Sequence, residues 1–256
     1  MIASRFSFPA LLLAVVVLTY GNSLQGGFHY DDIHSIVANP HIRGLDDIAG
    51  FFTHLDRFSA DPQKGMYRPL LLVSYAVDYA WSEYSTFVFH STNLLLHLSC
   101  CLLVWSILLK GGSSPCTALV GGLLFALHPL ATEPVNYISS RSESLAACLF
   151  LGAFRLRLHG SARAEWLAAA SFGMGLFTKS VVIVFPAILF LHGISIEAGS
   201  WARLFRRDLK FWVLASGYLL LISKIGFLGG SLDHPVRAFD VQLWTQLKAL
   251  AFYVFT

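Results

Sequence analysis

Apolar blocks separated by polar stretches run along the chain, and their lengths decide the architecture. Phe8 to Tyr20 comes first, preceded by a single base at Arg5, and apolar character resumes through Leu24. A signal peptide would end in a small-x-small cleavage site; none follows Leu18, so the block reads as an uncleaved first span. From Gln25 to Tyr67 the chain is polar and irregular. Asn39-Pro40, Asp46-Asp47, Asp61-Pro62 and Lys64-Gly65 are turn signals, with one short apolar patch from Ile48 to Phe52. A sizeable extramembrane loop is expected there. In Arg68 to Glu83, Ser74, Asp78 and Ser82 recur every four residues on one helical face, while Leu71, Leu72, Val73, Val77 and Trp81 mostly take the others. That pattern predicts a helix lying in the membrane interface.

Phe87 to Leu109 is the clearest span, and it carries His90, Asn93 and His97 on one stripe at i, i+3 and i+7. One face must therefore meet protein, with interhelical hydrogen bonding as the expected role. Shorter apolar blocks follow at Thr117 to Leu127, Leu145 to Phe154 and Phe185 to Ile196. Trp244 to Thr256 stops after about half a span, which predicts a truncated sequence.

Composition fixes the class. Apolar residues make up 55% of the chain and charged ones only 13%, and the mean hydropathy is +0.62; these are values of an integral membrane protein. The blocks are too long for the alternating strands of a barrel. The expected fold class is all-α, a polytopic transmembrane helix bundle forming one domain over residues 1–256. Residues 25–86 form its large first extracytoplasmic loop with the interfacial helix. The net charge of +3 comes from short basic clusters without interleaved aromatics, so the lipid bilayer is a partner and nucleic acid is not. The four cysteines show no paired spacing and read as packing residues.

The positive-inside rule places Lys110, the cluster Arg155, Arg157 and Arg163, and the cluster Arg203, Arg206, Arg207 and Lys210 in the cytoplasm. Alternation then closes only if the helix at 68–83 does not cross. It puts Asp31-Asp32, the segment His128 to Glu143, Lys179 and Asp233-His234 on one non-cytoplasmic face, where a shared site becomes plausible. Adjacent carboxylates at a membrane exit are costly unless chemistry or an ion uses them. The segment His128 to Glu143 is dense in polar groups between apolar spans, and its Pro129 and Pro134 break helix geometry, as expected where backbone lines a polar cavity. Arg141 presents a planar fork for phosphate or carboxylate oxygens, and Lys179 offers a second cation.

Four motifs stand in a telling order: Tyr30-Asp31-Asp32-x-His34, Tyr67-Arg68-Pro69-Leu70, Phe89-His90-x-x-Asn93-x-x-x-His97, and Phe125-Ala126-x-His128-Pro129-x-x-x-Glu133-x-Val135. The first resembles the aromatic-Asp-Glu-x-His signature of protein O-mannosyltransferases. Together they resemble the membrane half of the O-mannosyltransferases that carry tetratricopeptide repeats, and their bacterial relatives, from about residue 25 to about residue 185. The resemblance implies the GT-C fold, in which the first extracytoplasmic loop carries catalytic acids. This chain departs from the signature at Asp32, where Glu is usual, and no tetratricopeptide pattern of about 34 residues follows.

The implied reaction is an inverting hexosyl transfer from a polyprenyl-phosphate sugar, mannose or similar, to a hydroxyl on a protein or glycan acceptor. Such a donor is already activated, so the enzyme needs one base for the hydroxyl and cations for the departing phosphate. Asp31 is the expected base, its basicity raised by desolvation and by neighbouring Asp32, which orients Asp31 or the acceptor. Arg141 and Lys179 are expected to hold the phosphate, and His34, Arg68, His128, Glu133, Asn136 and Glu143 complete the substrate-binding set. No cofactor is required on this reading. A divalent metal at Asp31 and Asp32, with His29 and His34, is the competing use of the acidic pair. A transporter or a catalytically silent scaffold is the alternative class, the former with polar groups lining a path. With no Asn-x-Ser/Thr acceptor in the chain, the bacterial inner membrane is favoured over the endoplasmic reticulum.

Overall fold

A computed structural model describes residues 3–197, 200–229 and 238–255. Among the described residues the regular elements are all helical. Asp233-His234 lies outside them. The first helix, α1 (Ala3–Tyr20), continues as a 3-10 turn to Gln25, and Phe8–Gln25 is long and apolar enough to cross a membrane. The loop that follows contains α2 (Ile48–Thr53) and then α3 (Pro69–Ser82), which starts with proline at the position where a missing N–H costs nothing. The second span is α4 (Thr86–Lys110). Gly111 and Gly112 stop it, the latter at a φ of +91° that favours glycine, with Ser113 N–H closing onto the Leu108 carbonyl.

Ser114 caps α5 (Pro115–Ala126) by accepting from Thr117 N–H. Beyond it the chain bends by 57° into the turn that leads to α6 (Thr132–Asn136), so these pieces form a broken third span at most. Pro129 and Pro134 remove two backbone donors there. The bundle is completed by α7 (Arg141–Arg157), α8 (Ala162–Leu176), α9 (Phe185–Glu197), α10 (Trp201–Arg207), α11 (Leu209–Lys224) and α12 (Phe239–Phe255). Among the described residues, two helices, or three with the bent pair, are long and apolar enough to cross a membrane, fewer than the alternating count requires. The reason is local: α7 carries Arg141, Glu143, Arg155 and Arg157, and α8 and α9 are only 15 and 13 residues long.

Three apolar clusters hold the molecule together. Leu12, Val16, Leu94, Cys101 and Leu119 join α1, α4 and α5. The ring centroids of Phe172, Phe185 and Phe211 lie within 5.1–5.8 Å of one another among α8, α9 and α11, Phe172 stacked on Phe185 and Phe211 edge-on to both. The third cluster gives the first loop a core of its own: Ile36, Ile42, Phe51 and Phe58 pack onto Leu71, Leu72 and Tyr75 of α3, with Phe89 of α4 beneath. Burial of such side chains is worth roughly 1.5–3 kcal/mol each, which is what holds an otherwise polar loop in one conformation.

The face of α3 expected to meet headgroups points inward instead. Ser74 and Asp78 face Arg141 of α7, whereas Val77 and Trp81 are exposed, Trp81 to 84%. A buried cation across the interface reverses the amphipathic reading. The stripe on α4 meets protein as expected: Asn93 donates to the carbonyls of Pro134 and Tyr137, and His97 contacts that of Ala126. His90 is fully buried but neither ring nitrogen is hydrogen-bonded among the described residues. Gly26 lies so near that a Cβ there would stand 2.7 Å from His90 Nε2. At another end of the bundle, Arg157 pairs with Glu165 and Asp208, and Lys210 with Glu165, so two of the basic clusters meet in one ion-pair network.

Candidate active site

The two adjacent acids have opposite surroundings. Tyr30 holds a left-handed φ of +43°, a conformation that costs a non-glycine residue roughly 1–3 kcal/mol, and the chain then enters a short helical turn. Asp32 is fully buried there. Its Oδ1 accepts from Ser139 N–H at 2.8 Å and Ser139 Oγ at 2.5 Å, and its Oδ2 from His29 N–H at 2.9 Å. Asp32 is thus the pin that fastens the first loop to the α6–α7 connection. Asp32→Asn is expected to lower stability by about 1–3 kcal/mol, because an amide NH₂ would face a donor in place of one accepted bond; detergent-phase thermal unfolding measures it.

Asp31 is the free acid of the pair. Its side chain is 59% exposed, so the burial expected of it is absent. Its backbone N–H donates to Tyr137 Oη at 2.8 Å, its carbonyl accepts from Ser35 Oγ at 2.6 Å, and its Oδ1 meets His34 Nε2 at 3.1 Å and Lys64 Nζ at 3.8 Å. Burial, reinforced by the two nearby carboxylates, pushes the Tyr137 phenol up from its ordinary value, so it stays a neutral hydroxyl able to accept that N–H.

Asp31 opens onto a cavity of about 440 Å³. Loop residues His34, Gln63 and Lys64 form one side of its lining, Arg68 and Tyr75 come from the start and middle of α3, and Glu133, Ser140, Ser142 and Glu143 come from α6 and the beginning of α7. Arg68 is anchored by donating to Ser142 Oγ at 3.0 Å and lies over the Phe58 ring. Burial lowers its guanidinium from the ordinary value; arginine is nonetheless a cation in proteins. Ser140 Oγ donates to Glu133 Oε1 at 3.0 Å. Glu143 pairs with Lys179, which lines a smaller adjoining cavity together with Arg68 and Ser180. Of the residues singled out from sequence, Asp31, His34, Arg68, Glu133 and Glu143 therefore share one cavity, with Lys179 at its border.

Arg141 does not reach that cavity. Its guanidinium is fully buried: Nε donates to Asn93 Oδ1 at 2.7 Å, Nη2 to the Phe89 carbonyl at 2.8 Å, and Nη1 to Ser74 at 3.3 Å. The Asp78 carboxylate stands 2.6 Å from Nη2 in a buried ion pair. The Tyr75 and Phe89 rings cover it at 4.9 and 5.5 Å. A guanidinium buried among these partners and outside the cavity does not stand where it could hold a phosphate bound there, as the sequence had led one to expect of it. Asp78 shows the same environment from the other side, its carboxyl raised by burial and pulled back down by Arg141.

His128 and Asn136 are also elsewhere. His128 Nδ1 accepts from Leu130 N–H at the bend, and its ring borders a second, largely apolar cavity of about 560 Å³ with His97, Leu124, Phe125 and Pro134. Glu143 lines both cavities. Asn136 contributes to neither, and its Oδ1 is buried without a hydrogen-bond partner among the described residues. Among the described residues no three His, Cys, Asp or Glu side chains are placed to hold a metal ion, and Asp31 and Asp32 are committed to different partners. Sequence reasoning overlooked Lys64, Tyr137, Ser139 and Ser142. Only their density in polar stretches beside the acids and prolines could have drawn attention to them.

No family model and no solved structure matches the chain. Among curated proteins it is 36% identical over 150 residues to human "Protein O-mannosyl-transferase TMTC1", a match covering 57% of this chain and 17% of that protein. It is 34% identical over 172 residues to "Protein O-mannosyl-transferase Tmtc3" of Drosophila melanogaster, covering 57% and 18%. It is 30% identical over 150 residues to human "Protein O-mannosyl-transferase TMTC3", covering 56% and 16%. The chain thus spans less than a fifth of the length of these relatives. They are animal proteins, so the expectation of a bacterial membrane finds no support in them. Over more than half of its length, the chain is similar to proteins named as O-mannosyl-transferases, in line with the resemblance of its four motifs.

Proposed function

We propose that the polar cavity is the transfer site of a membrane glycosyltransferase that moves a hexose, mannose or similar, from a polyprenyl phosphate to a protein hydroxyl. The observation that carries this reading is the placement of an exposed carboxylate, Asp31, in the same cavity as the anchored cation Arg68. Asp31 takes the proton of the acceptor hydroxyl as its oxygen bonds to the anomeric carbon. The bond from that carbon to the phosphate oxygen breaks, and the electron pair leaves with the phosphate. Arg68, with Lys64 and Lys179 nearby, holds the charge that develops there. One displacement inverts the anomeric centre, and no cofactor enters the scheme.

Asp32 acts at a distance, holding the loop that presents Asp31. The apolar cavity beside Glu143 suits the first prenyl units of the carrier, with His128 at its rim. The names of the relatives support a mannosyl donor and a protein acceptor, and their animal sources favour the lumenal face of the endoplasmic reticulum membrane. The test is to incubate membranes holding the full-length protein with radiolabelled polyprenyl-phosphate mannose and follow label into protein. Label in protein is expected. Arg68→Gln is expected to raise the donor KM roughly tenfold or more, the value of a lost charged hydrogen bond. Absence of labelled product, or an Arg68→Gln variant with unchanged donor KM, overturns the proposal.

A further inference from the structure

We propose that Ser59 is a positioning residue of the transfer reaction, fixing the tautomer of His34 so that its Nε2–H is committed to Asp31 Oδ1 and Asp31 Oδ2 is left to act as the base. The inference rests on the assignment of Asp31 as base, and it deepens that reading.

The chain of contacts is short. His34 Nε2 lies 3.1 Å from Asp31 Oδ1, and the other ring nitrogen, Nδ1, lies 2.9 Å from Ser59 Oγ. A carboxylate can only accept, so a neutral ring must carry its hydrogen on Nε2, and Nδ1 must then be an acceptor. Ser59 is suited to supply the missing donor. Its oxygen already accepts from Asp61 N–H at 2.9 Å, which leaves its own hydrogen to give to Nδ1. The opposite tautomer would set the Nε2 lone pair against a carboxylate oxygen.

Ser59 is held where this requires. Ala60 N–H donates to the His34 carbonyl at 2.9 Å, which ties the two segments together beside the contact itself. Fully buried Asn39 donates to the carbonyls of Ser35, Arg57 and Phe58, clamping the His34 turn to the strand of chain that bears Ser59. Residues Ile33–Val37 form one turn of π-helix, a widened geometry often found at functional sites. Ser59 itself is buried and does not line the cavity, so it acts through His34 and touches no substrate. Both side-chain partners of Asp31 among the described residues, His34 and Lys64, take Oδ1. One carboxylate oxygen is thereby occupied and the other is left for the acceptor proton.

The experiment reads the tautomer directly. The protein, labelled with ¹⁵N-histidine in detergent micelles, is compared with Ser59→Ala and Ser59→Thr; His34→Gln identifies the His34 signals among those of the chain's ten histidines. Wild type and Ser59→Thr are expected to show Nε2–H, and Ser59→Ala a mixture of both tautomers. A wild-type Nδ1–H ring, or a Ser59→Ala ratio equal to that of wild type, overturns the proposal. In the transfer assay Ser59→Ala is expected to lose about tenfold in kcat, the value of roughly one hydrogen bond, with donor KM unchanged, and Ser59→Thr to restore it. In a His34→Gln background, Ser59→Ala is expected to change kcat no further; an undiminished effect there assigns Ser59 a merely structural role and also overturns the proposal. The tautomer spectra need no turnover. A wild type with the expected tautomer but no transfer would sink the transferase reading, whereas transfer by a protein with the wrong tautomer would sink this inference alone.

Discussion

Asp31→Asn is expected to lower sugar transfer by roughly 10²–10⁴-fold while leaving donor binding and folding near wild type. The size follows from the role: a positioned base removes the acceptor proton in the transition state, and an amide cannot take it. The specificity follows from the surroundings. The backbone bonds of Asp31, from its N–H to Tyr137 and from Ser35 to its carbonyl, survive the substitution. The ion contact with Lys64 is 3.8 Å long and more than half exposed at Asp31, and such pairs are worth about 0–1 kcal/mol. Initial rates with labelled donor, set beside a melting curve of the same preparation, check both halves. A variant that melts like wild type yet transfers at more than about a tenth of its rate removes Asp31 from the base role.

Arg141→Met is expected to cost roughly 3–5 kcal/mol of stability, enough to prevent accumulation of folded protein, because it strands the Asp78 carboxylate in the interior. Asn93 Oδ1, the Phe89 carbonyl and Ser74 would lose their donor at the same time. Pairing the change with Asp78→Leu is expected to recover much of the loss, since two apolar side chains of similar volume replace a desolvated ion pair. Denaturant-induced unfolding in mixed micelles measures all three variants. If Arg141 instead held the lipid phosphate, the single variant would fold normally and show only a raised donor KM, and Asp78→Leu would rescue nothing.

Both expectations separate residues that look alike in one dimension. Asp31 and Asp32 are neighbours of identical chemistry, yet a single step along a helical turn sends one side chain toward the cavity and the other against Ser139, 107 positions away in the chain. Arg68 and Arg141 both end polar stretches that border apolar helices. Which guanidinium remains available depends on Asp78 and Asn93, whose proximity to Arg141 is a product of helix packing. Periodicity showed that Ser74, Asp78 and Ser82 share a face, but it carried no information on whether that face meets water or a buried cation. The contacts of Ser74 and Asp78 with Arg141 show which it was.

Residue order alone determined the membrane class, the helical architecture, the polar first loop with its acidic pair, the inward stripe on the long span and the resemblance to O-mannosyltransferases, because each is written in composition, period or motif spacing. Tertiary structure decided which acid is free, which arginine can meet a ligand, which face of α3 is buried and which side chains share a cavity. The reason is physical: hydropathy and helical period are properties of neighbouring residues, whereas the cost or gain of burying a charge depends on partners that only the folded chain brings within a few ångströms.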